Sequence, residues 1–271
     1  MIKTSLVLLA IIFALPASAQ SGLSTPWAPS ARSAARLIVA GGLQGGAYHA
    51  GVEIKLHPNT ITYWRNPGEA GAPPVFSFAQ SRNVAQANVL YPAPRRIAEA
   101  GGVQAIGYEA SVVFPVLVVP IDAAKPVMVD LALNYAACER ICVPAEAKLK
   151  LELHPQASGP GFSEQIAAAE KLVPEQGPAS DGLLMLIEGA SRPSWRVGGS
   201  ALAEIMASDV FAEAPEGWYF DTQHGAEGLA VTLAERPRNA AAARVPLVLT
   251  LAGAKGAREF HTMLDVAAAK P

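Results

Sequence analysis

The chain has 271 residues, of which 51% are hydrophobic and only 16% are charged, and its formal net charge is −2. This composition excludes a disordered, highly charged chain, and the near-neutral balance gives no electrostatic case for binding nucleic acid or an anionic membrane surface. The two cysteines are too few for a disulfide-dense scaffold, although they can still form one pair.

The first residues have the pattern of a secretory signal peptide. Lys3 precedes an apolar run over residues 6–15, Pro16 ends that run, and the small residues Ala17, Ser18 and Ala19 follow. A membrane-spanning helix needs about 20 apolar residues, so this run is too short for one. We therefore expect residues 1–19 to be a signal peptide that is cleaved after Ala19, and the mature protein to reach the periplasm, where a disulfide can persist.

Short apolar stretches separated by Pro and Gly turns predict β-structure from residue 35 onward. Residues 148–153 alternate strictly between Leu and charged side chains, which is typical of a half-buried strand. The glycine-rich residues 41–46 lack a phosphate-binding pattern and are best interpreted as a hairpin turn. Strands are predicted at 35–40, 47–56, 60–64, 75–78, 89–90, 112–119, 127–133 and 148–153. This spacing predicts a β-sandwich.

The composition changes over residues 156–182, which we predict to be a linker. Segments rich in Pro, Gly and Ser surround a short helix predicted at 163–173, with Ser163 as a plausible N-cap. Residues 202–214 fit a helix or a strand. Further strands are predicted at 183–188, 195–197, 217–222, 229–234, 245–252 and 259–266. We therefore predict a redox domain at 20–155, the linker, and a second β-sandwich at 183–271.

The cysteine pair is the most informative feature for function. Cys138 and Cys142 are separated by three residues, and no second cysteine pair or nearby histidine could complete a zinc site. A disulfide that closes a ring of about 5 residues stabilises a fold by about 2 kcal/mol, against more than about 4 kcal/mol for a loop of about 100 residues. The spacing therefore favours a redox couple, although an inert structural disulfide stays open. Arg140 would favour a thiolate here, and Glu139 would oppose it.

Residues 35–155 resemble a known family. The motif Tyr-x-x-Cys…Cys-x-Pro-x-Glu, which begins at Tyr135 and ends at Glu146, follows a Val-Phe-Pro-Val strand at 113–116. The stretch Tyr-Trp-Arg-Asn-Pro-Gly-Glu-Ala-Gly at 63–71 and the Gly-Tyr pair at 107–108 precede it. In these features the chain resembles the N-terminal periplasmic domain of the DsbD thiol:disulfide interchange proteins, and more closely the relatives called suppressor of copper sensitivity B.

The resemblance implies immunoglobulin-like sandwiches and a dithiol relay of the protein-disulfide reductase type, with Cys138 and Cys142 as the catalytic residues. Tyr135 and Tyr108 would support the site by shielding the disulfide, although a core aromatic is an equally good interpretation of each. Pro144 would stiffen the return into the next strand. The chemistry implies no cofactor and no metal ligand.

The resemblance also implies partners. Electrons would come from a membrane electron-transfer partner or a thioredoxin-like donor, and would pass to periplasmic thioredoxin-like or disulfide-isomerase proteins. Three departures stand out: the cysteine spacing is shorter, membrane and thioredoxin-like domains are missing, and the acidic-aromatic cap has no clear match, 94–104 being its expected place. Two alternatives stay open: a copper-tolerance module that binds Cu(I) through the reduced cysteines, and a structural scaffold.

Overall fold

The computed structural model describes residues 22–68, 71–98, 104–159, 161–178, 183–225, 228–238 and 244–267. The predicted signal peptide at 1–19 and its cleavage site lie outside these ranges. Within them, no helix combines the length and apolar character needed to cross a membrane.

The first half of the chain forms a sandwich of two sheets. The strands are β1 (Ala28–Pro29), β2 (Ser33–Val39), β3 (Tyr48–Leu56), β4 (Ile61–Tyr63), β5 (Val75–Ser77), β6 (Val84–Val89), β7 (Arg95–Ala98), β8 (Gln104–Glu109), β9 (Ser111–Pro120), β10 (Val127–Cys138) and β11 (Cys142–Leu153). One sheet has the strand order β1-β2-β3-β9-β6, and the other has the order β11-β10-β4-β8-β7, with β5 also paired to β10. The glycine-rich residues 41–46 make the turn between β2 and β3, as predicted.

The core of this sandwich lies between the inner faces of its sheets. Along β11, Leu149, Leu151 and Leu153 are buried while the residues between them are exposed, which confirms the predicted half-buried strand. Burying a leucine side chain contributes about 1.5–3 kcal/mol. The strands β7 and β8 were not predicted, because each has only a few apolar residues between charged or small ones.

The second half forms another sandwich with its own core, which confirms the predicted all-β fold of two sandwiches. The elements are β12 (Glu175–Gln176), β13 (Leu184–Leu186), β14 (Ser194–Val197), α2 (Ala201–Glu204), β15 (Ala207–Glu213), β16 (Tyr219–Gly225), β17 (Gly228–Glu235), β18 (Arg244–Gly253) and β19 (Gly256–Asp265). The sheets have the strand orders β12-β19-β18-β15 and β13-β14-β17-β16. The ambiguous residues 202–214 thus divide into one helical turn and a strand.

The predicted linker contributes to both sandwiches. Helix α1 (Ser163–Glu170) packs on the first sandwich through Ile166, which is fully buried, whereas β12 pairs in parallel with β19 of the second. The helix begins at Ser163, with Phe162 at the cap position and no side-chain cap, so Ser163 is not the N-cap. The helix also ends three residues before the predicted 173. The domain division at 156–182 stays a prediction, which limited proteolysis would test.

A charged cluster joins the two sandwiches. The guanidinium of Arg65, just after β4, donates to Glu213 of β15 at 2.7 Å and also contacts Glu259 of β19. Gln176 donates to the second oxygen of Glu259 at 2.9 Å. Burial raises the pKa of the Glu259 carboxyl, but the hydrogen bonds from Arg65 and Gln176 outweigh burial, so the pKa lies below its usual range. Burial also lowers the pKa of Arg65, but its two carboxylate partners raise it above its usual range.

This depressed pKa predicts an acid-sensitive junction. In the unfolded chain a glutamate has a pKa of about 4.3, so Glu259 stabilises the fold above that pH and its contribution is lost as the pH falls through the lower folded value. We expect the Glu259→Gln variant to be less stable than the wild type at pH 7, and the difference to shrink as the pH falls below about 4. Urea unfolding measured from pH 7 to pH 3 would check this. A difference that stays constant with pH would contradict it.

Candidate functional site

The long hairpin of β10 and β11 brings the two cysteines together. Its ladder runs without interruption from the pair Val127 and Leu153 to the pair Cys138 and Cys142, which ends it. The two cysteine Cα atoms are 4.0 Å apart and the sulfurs form a disulfide. A three-residue loop, residues 139–141, closes the hairpin. The backbone of the hairpin therefore holds the two cysteines opposite each other independently of the bond between them.

The two sulfur-bearing residues differ strongly in exposure. Cys138 is only 2% exposed, because β10 lies inside its sheet and pairs with β11 on one side and with Ile61 of β4 on the other. Cys142 is exposed, because β11 is the edge strand. An incoming thiol can therefore reach the disulfide through Cys142.

A small apolar cluster on the outer face of the sheet covers the buried cysteine. Its members come from β4, β7, β8 and β10: Ile61, Tyr63, Ile97, Ala105, Ala136 and Cys138. The hydroxyl oxygen of Tyr63 lies 3.3 Å from Cys142 Sγ, within hydrogen-bond distance of sulfur. A disulfide sulfur has no hydrogen, so the hydroxyl is the donor, and the same hydroxyl can donate to a Cys142 thiolate after reduction.

Tyr63 was missed as a site residue in the sequence, where it fits a core strand before a turn. The available signal was its place in the 63–71 stretch of the family resemblance. The position also depends on a glycine, because a Cβ atom at Gly71 would lie 2.6 Å from Cε1 of the Tyr63 ring. The loop after β4 can therefore approach the ring closely only with glycine at this position.

The predicted supporting tyrosines lie in the main core. Adjacent residues of a strand face opposite sides of a sheet, so Tyr135 and Cys138, three positions apart on β10, point to opposite faces. The Tyr135 hydroxyl lies 2.7 Å from Ser33 Oγ, and the Tyr108 hydroxyl donates to the Pro92 carbonyl at 2.8 Å. Burial raises the pKa of each tyrosine. Both tyrosines are thus core aromatic residues, and the structure does not bring them to the disulfide.

Pro144 is exposed on β11, opposite Ala136. A proline fits an edge strand because its missing N–H is not needed in a ladder there. In the expected cap segment, 94–104, the described residues include Ile97, which packs in the cluster around Cys138, while residues 99–103 lie outside the described ranges.

The negative charge in the hairpin loop has a partner that the sequence did not indicate. The carboxylate of Glu139, expected to oppose a thiolate, forms an ion pair with Arg32 at the turn before β2. This partner offsets part of the negative charge beside the cysteines. Among the described residues no group of three or more His, Cys, Asp or Glu is arranged to hold a metal ion.

Comparisons with known proteins agree with this geometry. Over 90% of its length the chain superposes on 98% of the N-terminal periplasmic domain of ScsB from Proteus mirabilis, with a TM-score of 0.64 and 20% sequence identity. The tandem Ig repeats of Dlar align with a TM-score of 0.18 and 10% identity, which is too low to indicate a shared fold. No curated protein has a significantly similar sequence. Residues 30–154 match the family described as "Thiol:disulfide interchange protein DsbD, N-terminal".

The matched segment contains β2 to β11 completely, and with them both cysteines, Tyr63 and Ile97, while β1 lies just before it. This match confirms the resemblance inferred from the sequence, and the similar fold belongs to the branch that the resemblance named. The disulfide-bearing sandwich of this chain is therefore similar to the N-terminal domains of the DsbD thiol:disulfide interchange proteins.

Proposed function

We propose that the protein passes reducing equivalents in the periplasm by thiol–disulfide exchange at Cys138 and Cys142. One observation carries the proposal: the disulfide ends a rigid hairpin with one residue exposed and the other 2% exposed. A structural staple has no need of an accessible sulfur, whereas an exchange reaction requires one. The family match of residues 30–154 supports the same chemistry.

The reaction begins at the exposed cysteine. A thiolate of a reduced donor attacks Cys142 Sγ, the bond to Cys138 breaks, and Cys138 leaves as a thiolate that takes up a proton. The second thiol of the donor then attacks the donor sulfur in the mixed disulfide and releases Cys142. The donor dithiol has become a disulfide, and the Cys138–Cys142 pair has gained two electrons and two protons.

The reduced pair then acts in the opposite direction. The Cys142 thiolate, to which the Tyr63 hydroxyl can donate a hydrogen bond, attacks the disulfide of an oxidised partner. Cys138 resolves the mixed disulfide and restores the starting bond. We propose thioredoxin-like or disulfide-isomerase proteins as partners on this side, and a membrane protein or a thioredoxin-like protein as the donor.

An exposed apolar side chain beside the disulfide could form part of the docking surface for such a partner protein. Ile141, the last residue of the hairpin loop, is 74% exposed and directly precedes Cys142. A partner that covers the loop would bury this side chain and exclude water from the reacting sulfurs.

Single-cysteine variants test which sulfur reacts. In Cys138→Ala only Cys142 remains, and in Cys142→Ser only the buried Cys138 remains. With glutathione disulfide as probe, we expect the Cys138→Ala protein to react at least about tenfold faster, because reactivity follows exposure of the thiolate. Mass spectrometry after acid quenching gives both rates.

The same variants test exchange between proteins. Cys138→Ala should accumulate a stable mixed disulfide with a single-cysteine variant of a thioredoxin-like protein whose cysteine is activated with thionitrobenzoate. Cys142 displaces thionitrobenzoate, and neither protein then has a second thiol to resolve the bond. Equal rates for the two variants, or a faster reaction at Cys138, would contradict the assignment. If the reduced wild type instead binds Cu(I) tightly and reacts with neither probe, the copper module is the better account.

A further inference from the structure

The second sandwich has a direct physical connection to the residues that cover the disulfide. Tyr63 contacts Cys142, Trp64 is buried in the core of the first sandwich, and Arg65 reaches the second sandwich. Three consecutive residues therefore link the redox site, the core and the neighbouring sandwich. A change in the last of these contacts would be transmitted to Tyr63 over only two residues of backbone.

A second connection starts from the other cover residue. Ile97 faces the cluster around Cys138, and its neighbour Arg96 points to the opposite side of β7. The guanidinium of Arg96 donates to both carboxylate oxygens of Asp209, at 2.8 and 3.0 Å, and to the carbonyl of Val210 at 2.8 Å. It also donates to the hydroxyl of Thr222 on β16.

Both connections end on the same strand. Asp209 and Glu213 lie on β15, four residues and therefore about 13 Å apart. Arg65, the partner of Glu213, follows β4, and Arg96, the partner of Asp209, lies on β7. Strand β8 lies between β4 and β7, so these two strands are about 10 Å apart across the sheet. Strand β15 thus spans the part of the sheet that carries Tyr63 and Ile97, and fixes it at two points.

Aromatic rings fill the space between the two arginines. The guanidinium carbon of Arg65 lies 4.7 Å from the centroid of the Trp64 ring, and the centroids of the Trp64 and Phe211 rings are 5.7 Å apart. On the other side, the guanidinium carbon of Arg96 lies 5.1 Å from the centroid of the Phe211 ring, which belongs to β15. Each charged side chain of the three ion pairs, which join Arg65 to Glu213 and Glu259 and Arg96 to Asp209, is at most 28% exposed. Partial burial limits screening by solvent and makes these contacts more directional than exposed ion pairs.

We propose that the second sandwich positions the cover of the redox site. Arg65 and Arg96 are positioning residues: bound to β15, they hold β4 and β7 so that Tyr63 and Ile97 keep Cys138 covered and leave Cys142 as the accessible sulfur. This inference rests on the proposed function, and assigns to the second sandwich control of how fast and at which sulfur the disulfide reacts.

The test measures the rate at which dithiothreitol reduces the disulfide in the full mature chain, well below the unfolding temperature. Arg65→Met keeps the apolar stem of the side chain, and the double variant Glu213→Gln/Glu259→Gln keeps the shape of the partners while removing their charge. We expect both to be reduced at least about fivefold faster than the wild type, because loosened elements open more often. Asp209→Asn should act in the same direction through Arg96.

Arg36→Met is the matched control. Arg36 forms a part-buried ion pair with Glu53 at 2.7 Å, but both residues belong to the first sandwich and lie away from β15. Its variant should lose stability without changing the reduction rate. In a Tyr63→Ala background, Arg65→Met should have little further effect, because a residue that acts through Tyr63 is coupled to it.

A purely structural junction gives a different result. The variants would then melt at lower temperature but, while folded, be reduced at the wild-type rate within about twofold, and the inference would be wrong. Because dithiothreitol is not a protein partner, this rate is independent of the proposed function. A faster rate in a protein that exchanges with no thioredoxin-like partner would overturn the function alone.

Discussion

A variant without either cysteine, Cys138→Ala/Cys142→Ser, should fold and yet have no thiol–disulfide exchange at all. Exchange requires a sulfur that can form the mixed disulfide, and the sequence contains no other cysteine. The lost cross-link closes a ring of only about 5 residues, so we expect a destabilisation of about 2 kcal/mol or less. Alanine is the better replacement for Cys138, because a serine hydroxyl buried there without a partner would cost about 1–3 kcal/mol more.

The measurements are the urea midpoint of the variant and its ability to accept electrons from a reduced thioredoxin-like protein. The wild type treated with dithiothreitol is the control, since it lacks the same bond but keeps both sulfurs. An unfolded variant would show that the disulfide is a staple. A folded variant that still accepts electrons would place the chemistry elsewhere in the chain.

A large loss of stability should follow from Phe211→Ala. Phe211 belongs to β15 of the second sandwich, is fully buried, and packs with the core of the first sandwich against Trp64. Removing a buried phenylalanine ring costs about 3–5 kcal/mol. Because the ring lies between the sandwiches, we expect faster amide hydrogen exchange on both sides, in β15 and in β4 and β8.

Phe260→Ala gives the comparison. Phe260 is 3% exposed and lies in the core of the second sandwich alone. The loss of free energy should be similar, but faster hydrogen exchange should be confined to the second sandwich. If the two variants produce the same exchange pattern, the sandwiches do not share a core across Phe211.

The sequence allowed the strands with clear patterns to be predicted, because strict alternation or an unbroken apolar run has a direct structural meaning. Residues 148–153 and 112–119 are examples, and both lie in the observed β11 and β9. Strands β7 and β8 were not predicted, because Arg95–Ala98 and Gln104–Glu109 are short and consist mostly of polar or small residues. They become strands by pairing with each other and with β4, which a local pattern does not reveal.

The candidate site was only partly predictable for a related reason. The two cysteines are identified by composition and spacing alone, but their partners depend on which face of which strand meets them. Tyr135 is close to Cys138 in sequence and faces the core, whereas Tyr63 is 79 residues from Cys142 and reaches its sulfur. Strand β12 also depends on a nonlocal pairing. It pairs with β19, so two residues of the expected linker belong to a sheet of the second sandwich.

The uninterrupted ladder of the β10–β11 hairpin has a consequence for the lifetime of complexes. Cys138 and Cys142 face each other as the last pair of that ladder, so reduction of their bond leaves the two sulfurs as neighbours. The effective concentration of one thiol at the other then far exceeds the mM values of flexibly tethered groups. Once Cys142 has captured a partner, ring closure outcompetes thiols from solution. The hairpin thus acts as a release device, and covalent complexes of the wild-type protein should be too brief to accumulate.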